Sequence, residues 1–165
     1  MNILITGGAG YIGTELVYAL EKEEKINEIV IYDNFARSNY NLFLGHAKLS
    51  TDKIRFVNGN LLDSRKLKKE VDRADIVFHL AAKVSTPFVN HNPHEFDQIN
   101  NWGTAGLTYL IEKSNVKKFV YASSVSVYGA SQKEMSMDTL VNPVSFYGIS
   151  KMHGEKHVRR LQNSG

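Results

Sequence analysis

Tyr147 and Lys151 stand four residues apart in the run Ser145-Phe146-Tyr147-Gly148-Ile149-Ser150-Lys151. On a helix that spacing puts both side chains on one face. An ammonium close to a phenol favours the phenolate, so Tyr147 is a candidate general base or acid at a reacting oxygen. Ser124, in Tyr121-Ala122-Ser123-Ser124, is a candidate hydrogen-bond donor to that same oxygen.

A second constellation lies at the N-terminus. Ile3, Leu4 and Ile5 form the short apolar run of a strand buried on both faces, and Gly7, Gly8, Gly10 and Gly13 follow. From Ile12 the period changes, with Ile12, Leu16, Val17 and Leu20 on one helical face. Strand, glycine turn and helix together make a dinucleotide loop. Its glycines admit a pyrophosphate, Gly13 lets helix pack closely on strand, and the helix N-terminus favours the negative charge. Asp33, 20 residues beyond Gly13, ends the run Glu28-Ile-Val-Ile-Tyr-Asp33 where a carboxylate accepts from an adenosine ribose. A 2′-phosphate there would be repelled, which favours NAD over NADP. Arg37 could reach such a phosphate, but it reads as a solvated loop arginine.

Strands must carry these groups to one end of a sheet. Ile29–Asp33, Ile54–Asn58, Ile76–Leu80 and Phe119–Ala122 follow the first strand. Helical stretches fall at Leu42–Leu49, Ser64–Val71, Pro93–Ser114 and Ser145–Leu161. The long helix opened by Pro93 has Phe96, Ile99, Leu107, Leu110 and Ile111 as its apolar stripe, and Trp102 is expected to pack. Alternation of strand and helix predicts an α/β fold: a doubly wound, three-layer parallel sheet in the order 3-2-1-4-5. Ligands then lie off the carboxyl ends of the strands.

The 165 residues suit one domain, with 42% apolar and 22% charged residues. A net charge of +3 with interspersed signs gives no case for nucleic acid. With no cysteine there are no disulfides and no thiol chemistry. No apolar run reaches membrane-spanning length and no leader precedes the first strand, so a cytoplasmic location is expected. His91-x-x-His94 and His153-x-x-x-His157 have ligand-like spacing, but no cysteine or clustered carboxylate completes a set, and no metal is expected.

With these motifs in hand, the chain resembles the N-terminal half of an extended short-chain dehydrogenase/reductase, the NAD-dependent nucleotide-sugar epimerase/dehydratase family. The stretches that carry the resemblance are Thr6-Gly7-Gly8-Ala9-Gly10-Tyr11-Ile12-Gly13, Tyr32-Asp33-Asn34, His79-Leu80-Ala81-Ala82, Asn100-Asn101-Trp102-Gly103-Thr104, Ser123 to Gly129 and Tyr147 to Lys151. The resemblance implies that Gly7, Gly10, Tyr11, Ile12 and Gly13 cradle NAD and that Asp33 and Asn34 hold the adenosine ribose. It implies that Asn60 and Leu61 flank the adenine, and that Leu80, Ala81, Ala82 and Ser123 line the cofactor. It further implies that Asn100 supports the site and that Tyr147 and Lys151 contact the nicotinamide ribose. Catalysis would fall to Ser124, Tyr147 and Lys151, with Ser124, Ser126 and Tyr147 against the sugar of a UDP- or dTDP-hexose.

Departures from the family narrow the chemistry. Asn60 stands where aspartate is usual, and it can still accept from the adenine amino group. Val125 and Ser126 replace the acidic or polar residues that dehydrating members carry after the catalytic serine or threonine. This points to a 4-epimerase acting through a transient 4-keto sugar. The alternatives are an NAD(P)-dependent sugar-nucleotide ketoreductase and a catalytically silent NAD-binding module. The family's small C-terminal substrate domain is expected to be lacking, so the chain by itself should bind cofactor without turnover. The family also pairs its two long helices, here Pro93–Ser114 and Ser145–Leu161, into a homodimer.

Overall fold

The computed structural model describes residues 1–45, 49, 52–84, 92–130 and 134–163. Its strands are β1 (Asn2–Thr6), β2 (Glu28–Asp33), β3 (Ile54–Asn58), β4 (Ile76–His79) and β5 (Lys118–Tyr121). Its helices are α1 (Tyr11–Glu21), α2 (Asn41–Leu44), α3 (Ser64–Val71), α4 (Pro93–Phe96), α5 (Thr104–Glu112) and α6 (Phe146–Asn163). A π-helical segment, Asp97–Gly103, joins α4 to α5, and a 3₁₀ turn spans Val125–Tyr128. The chain divides into two compact units, one of residues 1–81 and 109–122, the other of residues 82–108 and 123–165.

The first unit holds a five-stranded parallel sheet in the order β3-β2-β1-β4-β5, as the alternating pattern predicts. Register explains why its apolar residues agree across strands. Ile54, Ile29, Ile3 and Ile76 form one row, and Phe56, Ile31, Ile5 and Phe78 the next. Val17 of α1 is buried in that core, with Leu16 and Leu20 packed against it. Burying one such side chain stabilises the fold by about 1.5–3 kcal/mol. Leu4, Val30 and Val77 point the other way and are also buried. A strand buried on both faces reads as a continuous apolar run, hence Ile-Leu-Ile and Ile-Val-Ile.

In the second unit α6 packs on α4, the π-helical segment and the 3₁₀ turn. Pro93 occupies the first turn of α4, as expected of a residue whose missing N–H costs nothing there. The buried face of the long helix runs Phe96, Asn100, Gly103, Thr104 and Leu107. Trp102 is 67% exposed, which corrects the expectation that it packs. It lies two residues past Asn100, roughly half a turn around the axis of the π-helical segment and so on the opposite face. The expected helix Leu42–Leu49 is four residues long, Asn41–Leu44, and residues 46–48 lie outside the described residues. Among the described residues no helix is long and apolar enough to cross a membrane.

Candidate active site

The glycine turn closes over the ends of two strands in the first unit. Gly7 has a left-handed φ of 72°, and its N–H donates to the Tyr32 carbonyl at 2.8 Å. A Cβ there would lie 2.5 Å from the Ala81 backbone nitrogen, so only glycine lets the turn rest on Leu80 and Ala81. A Cβ at Gly13 would meet the Gly8 carbonyl oxygen at 2.5 Å. The close approach is therefore helix on loop rather than helix on strand, as the sequence had suggested. Gly10 caps α1 without a side chain to bond the free N–H groups of the first turn. Those donors and the helix dipole suit a phosphate. Tyr11 and Ile12, at the start of α1, are exposed.

Asp33 is fixed by two backbone donors. Its Oδ2 accepts from Ala9 in the glycine turn at 3.1 Å and its Oδ1 from Phe35 at 2.8 Å. The carboxylate is tied to the loop it serves, and each oxygen keeps lone-pair capacity for a hydroxyl. Phe35, which sequence reasoning missed, makes this possible from a left-handed φ of 53°. A bulky residue there is strained. Ring packing on Phe56, Tyr40 and Phe43, with centroids 4.8, 5.2 and 5.7 Å away, holds it. The aromatic spacing 35, 40, 43 and 56 was the available signal. Asn34 is exposed, and its Oδ1 accepts from Ala36 at 3.1 Å. Asn60 is also exposed, its Oδ1 accepting from the Leu62 N–H at 2.9 Å, whereas Leu61 is buried. Arg37 is exposed. Under the turn, Thr6 Oγ1 and His79 Nδ1 lie 2.6 Å apart and fully buried.

The residues expected to handle the proton, Ser124, Tyr147 and Lys151, belong to the second unit. Ser124 caps the 3₁₀ turn, its Oγ accepting from the Ser126 N–H at 3.2 Å, which leaves the hydroxyl proton to donate elsewhere. Val125, next in the turn, is 74% exposed. Tyr147 sits in the first turn of α6, edge-on to Phe96 at 6.2 Å. Its neighbour Gly148 was also missed. A Cβ there would stand 2.5 Å from the Ser126 carbonyl oxygen, so glycine brings the start of α6 against the turn that Ser124 caps. Lys151 is 3% exposed, and burial pulls its ammonium down to about 8 against the opposing charge of Glu155.

Asn100, also nearly inaccessible, spends its amide inside the unit. Oδ1 accepts from the Lys83 N–H and Nδ2 donates to the Lys83 carbonyl, both at 2.8 Å, and Nδ2 also donates to Ser150 Oγ at 2.9 Å. It supports its surroundings through these bonds. Ser123 donates its hydroxyl to Glu155. Ala82 is half-buried at the start of the unit. His91 lies outside the described residues, His157 Nε2 bonds Asn101 Oδ1 at 2.9 Å, and among the described residues no three His, Asp or Glu side chains gather to hold a metal.

A parallel sheet with a glycine turn and an acid at the end of β2, together with a serine, tyrosine and lysine set on one packed turn and helix, defines the short-chain dehydrogenase/reductase class. More narrowly, the chain belongs to the NAD dependent epimerase/dehydratase family, whose sequence model matches residues 3–165. It is 36% identical over 160 residues to YtcB of Bacillus subtilis (strain 168), described as an uncharacterized UDP-glucose epimerase, covering 94% of this chain and 50% of that protein. It is 33% identical over 159 residues to the UDP-glucose 4-epimerase of Lactobacillus helveticus, covering 94% of this chain and 46% of that protein. Among solved structures it is similar to the UDP-glucuronic acid 4-epimerase of Bacillus cereus in complex with UDP-glucuronic acid and NAD. The TM-score is 0.87 at 28% identity, over 99% of this chain and 52% of that one. The chain thus spans about half the length of the curated relatives it matches.

Proposed function

We propose that the protein binds NAD and serves a nucleotide-sugar 4-epimerase acting on a UDP- or dTDP-hexose. The observation that carries this reading is the turn 125–128. It is capped by Ser124, packed through Gly148 against the helix of Tyr147 and Lys151, and made of Val, Ser, Val and Tyr. No carboxylate stands on it to deprotonate or protonate a sugar carbon, so the residues support oxidation and reduction of one hydroxyl rather than dehydration.

The first unit's residues fit a dinucleotide: Gly7 and Gly13 let the turn fold tightly, the first turn of α1 offers free N–H groups to phosphates, and Asp33 offers acceptors to a ribose. Bound there, NAD would supply the hydride acceptor, and after reduction the hydride donor, for the sugar carbon. Tyr147 takes the hydroxyl proton and later restores it. The Lys151 ammonium favours the phenolate, and Ser124 donates to the oxygen that becomes a carbonyl. Ser126 is assigned to the sugar's remaining hydroxyls. We assign residues 1–165 to one NAD-binding domain, and a homodimer built on the long helices, where Trp102 is exposed, accords with the reading.

A second reading is an NAD-binding module without turnover. The test incubates the protein with NAD and UDP-glucose and follows the sugar protons by NMR. Formation of UDP-galactose, reduced about 10²–10⁴-fold by Tyr147→Phe, supports the epimerase. NAD binding without any product supports the module, and a 4-keto-6-deoxy product would overturn the epimerase assignment.

A further inference from the structure

Tyr147, Lys151 and Glu155 follow one another at intervals of four along α6. Glu155 is held from two sides. Its Oε1 accepts from the Ser123 hydroxyl, and its Oε2 accepts from the Arg159 guanidinium at 3.2 Å. Only 19% of its side chain is exposed, so its charge is poorly screened. Ser123 is also the residue before Ser124, so this one carboxylate ties the Ser124 segment to the helix that carries Lys151.

We propose that Glu155 is a positioning residue, a fixed counter-charge that keeps the buried Lys151 an ammonium in the service of Tyr147. The inference rests on the assignment of Lys151 as partner of Tyr147. The other ionisable groups of its own helix are Tyr147, His153, Lys156, His157, Arg159 and Arg160, and those of the elements packed against that helix are His94 and Glu95 on α4, Asp97 in the π-helical segment and Tyr128 on the turn. Glu95 is paired with Lys83, and Asp97 accepts from Asn101. Glu155, one helical turn beyond Lys151, carries a charge that opposes the effect of burial on its ammonium. Neutralising it should therefore free the proton more readily. Removing its anchor should do the same more weakly.

The test reads the Lys151 side-chain nitrogen by NMR in ¹⁵N-lysine protein across pH, with Lys151→Arg identifying the resonance. No substrate or cofactor is present, so the result is independent of whether the protein epimerises sugars. Glu155→Gln is expected to lower the Lys151 midpoint by about one pH unit, and Glu155→Asp to restore most of it. A merely structural role would change the melting temperature and leave the midpoint in place. An unchanged midpoint in a folded Glu155→Gln variant overturns the proposal. Should that variant fail to fold, Ser123→Ala releases one anchor at an exposed position and is expected to lower the midpoint by about half a pH unit. An unchanged midpoint there overturns the proposal equally.

Discussion

Asn100 Nδ2 donates to Ser150 Oγ at 2.9 Å across 50 positions of sequence, and Ser150 Oγ in turn donates to the Tyr147 carbonyl at 2.8 Å. The same amide pairs both backbone groups of Lys83. One buried side chain therefore joins the segment after β4, the long helix and the turn that carries Tyr147.

Replacing Asn100 with leucine, of similar size, would take this partner from the Lys83 N–H and carbonyl and leave Ser150 Oγ with only its bond to the Tyr147 carbonyl. Each buried polar group left unpaired costs about 1–3 kcal/mol. We expect Asn100→Leu to lose about 2–4 kcal/mol by urea denaturation. Stability equal to that of the unmodified protein would show that these bonds hold nothing in place.

Lys151 predicts a pH dependence of stability. Burial lowers it from the usual lysine value of 10.5 to about 8. Between those values the folded chain holds fewer protons at this site than the unfolded chain, so stability rises with pH across that window. Below about 8 the full cost of the buried charge is present, about 3 kcal/mol. Lys151→Met is expected to be more stable than the parent at pH 7 by about 1–3 kcal/mol, with the gap closing towards pH 10. A gap that is constant or widens with pH in denaturation curves would contradict this assignment.

Asp33 holds the glycine turn and is assigned to the adenosine ribose, so Asp33→Ala removes both functions. Loss of charge-assisted hydrogen bonds of about 1.5–3 kcal/mol should weaken NAD about 10–100-fold in titration calorimetry. NADP should be affected less, which narrows the preference between the two. Tighter binding of NADP than of NAD by the unmodified protein would transfer the ribose-reading role to Arg37.

Periodicity and turn residues were enough for the frame of the first unit. Ile3 to Ile5, Ile29 to Ile31 and Ile76 to Phe78 are local apolar runs, Ile54 and Phe56 flank Arg55 in the alternation of a strand, and parallel crossovers admit few orders, so the order 3-2-1-4-5 was legible without coordinates. Gly7 with Asp33, and Tyr147 with Lys151, were legible because chemistry fixes both residue types and spacing.

Other features depended on contacts between residues far apart in sequence. Nothing local to Trp102 says which side of its helix meets the unit's core; the packing of Phe96, Asn100 and Leu107 decided that. The aromatic residues at 40 and 43 hint at a ring cluster around Phe35, but its left-handed backbone is evident only once Phe56, 21 positions on, is found against its ring. Gly148 reads as an unfavourable helix residue until the Ser126 carbonyl is found where its side chain would be. Glu155 reads as a surface acid until Ser123 and Arg159 are found on its two oxygens. A sequence by itself determines periods, residue types and short-range spacing. Which buried partner meets which is settled only by packing, because the energy of burying a polar or charged group depends on what it touches.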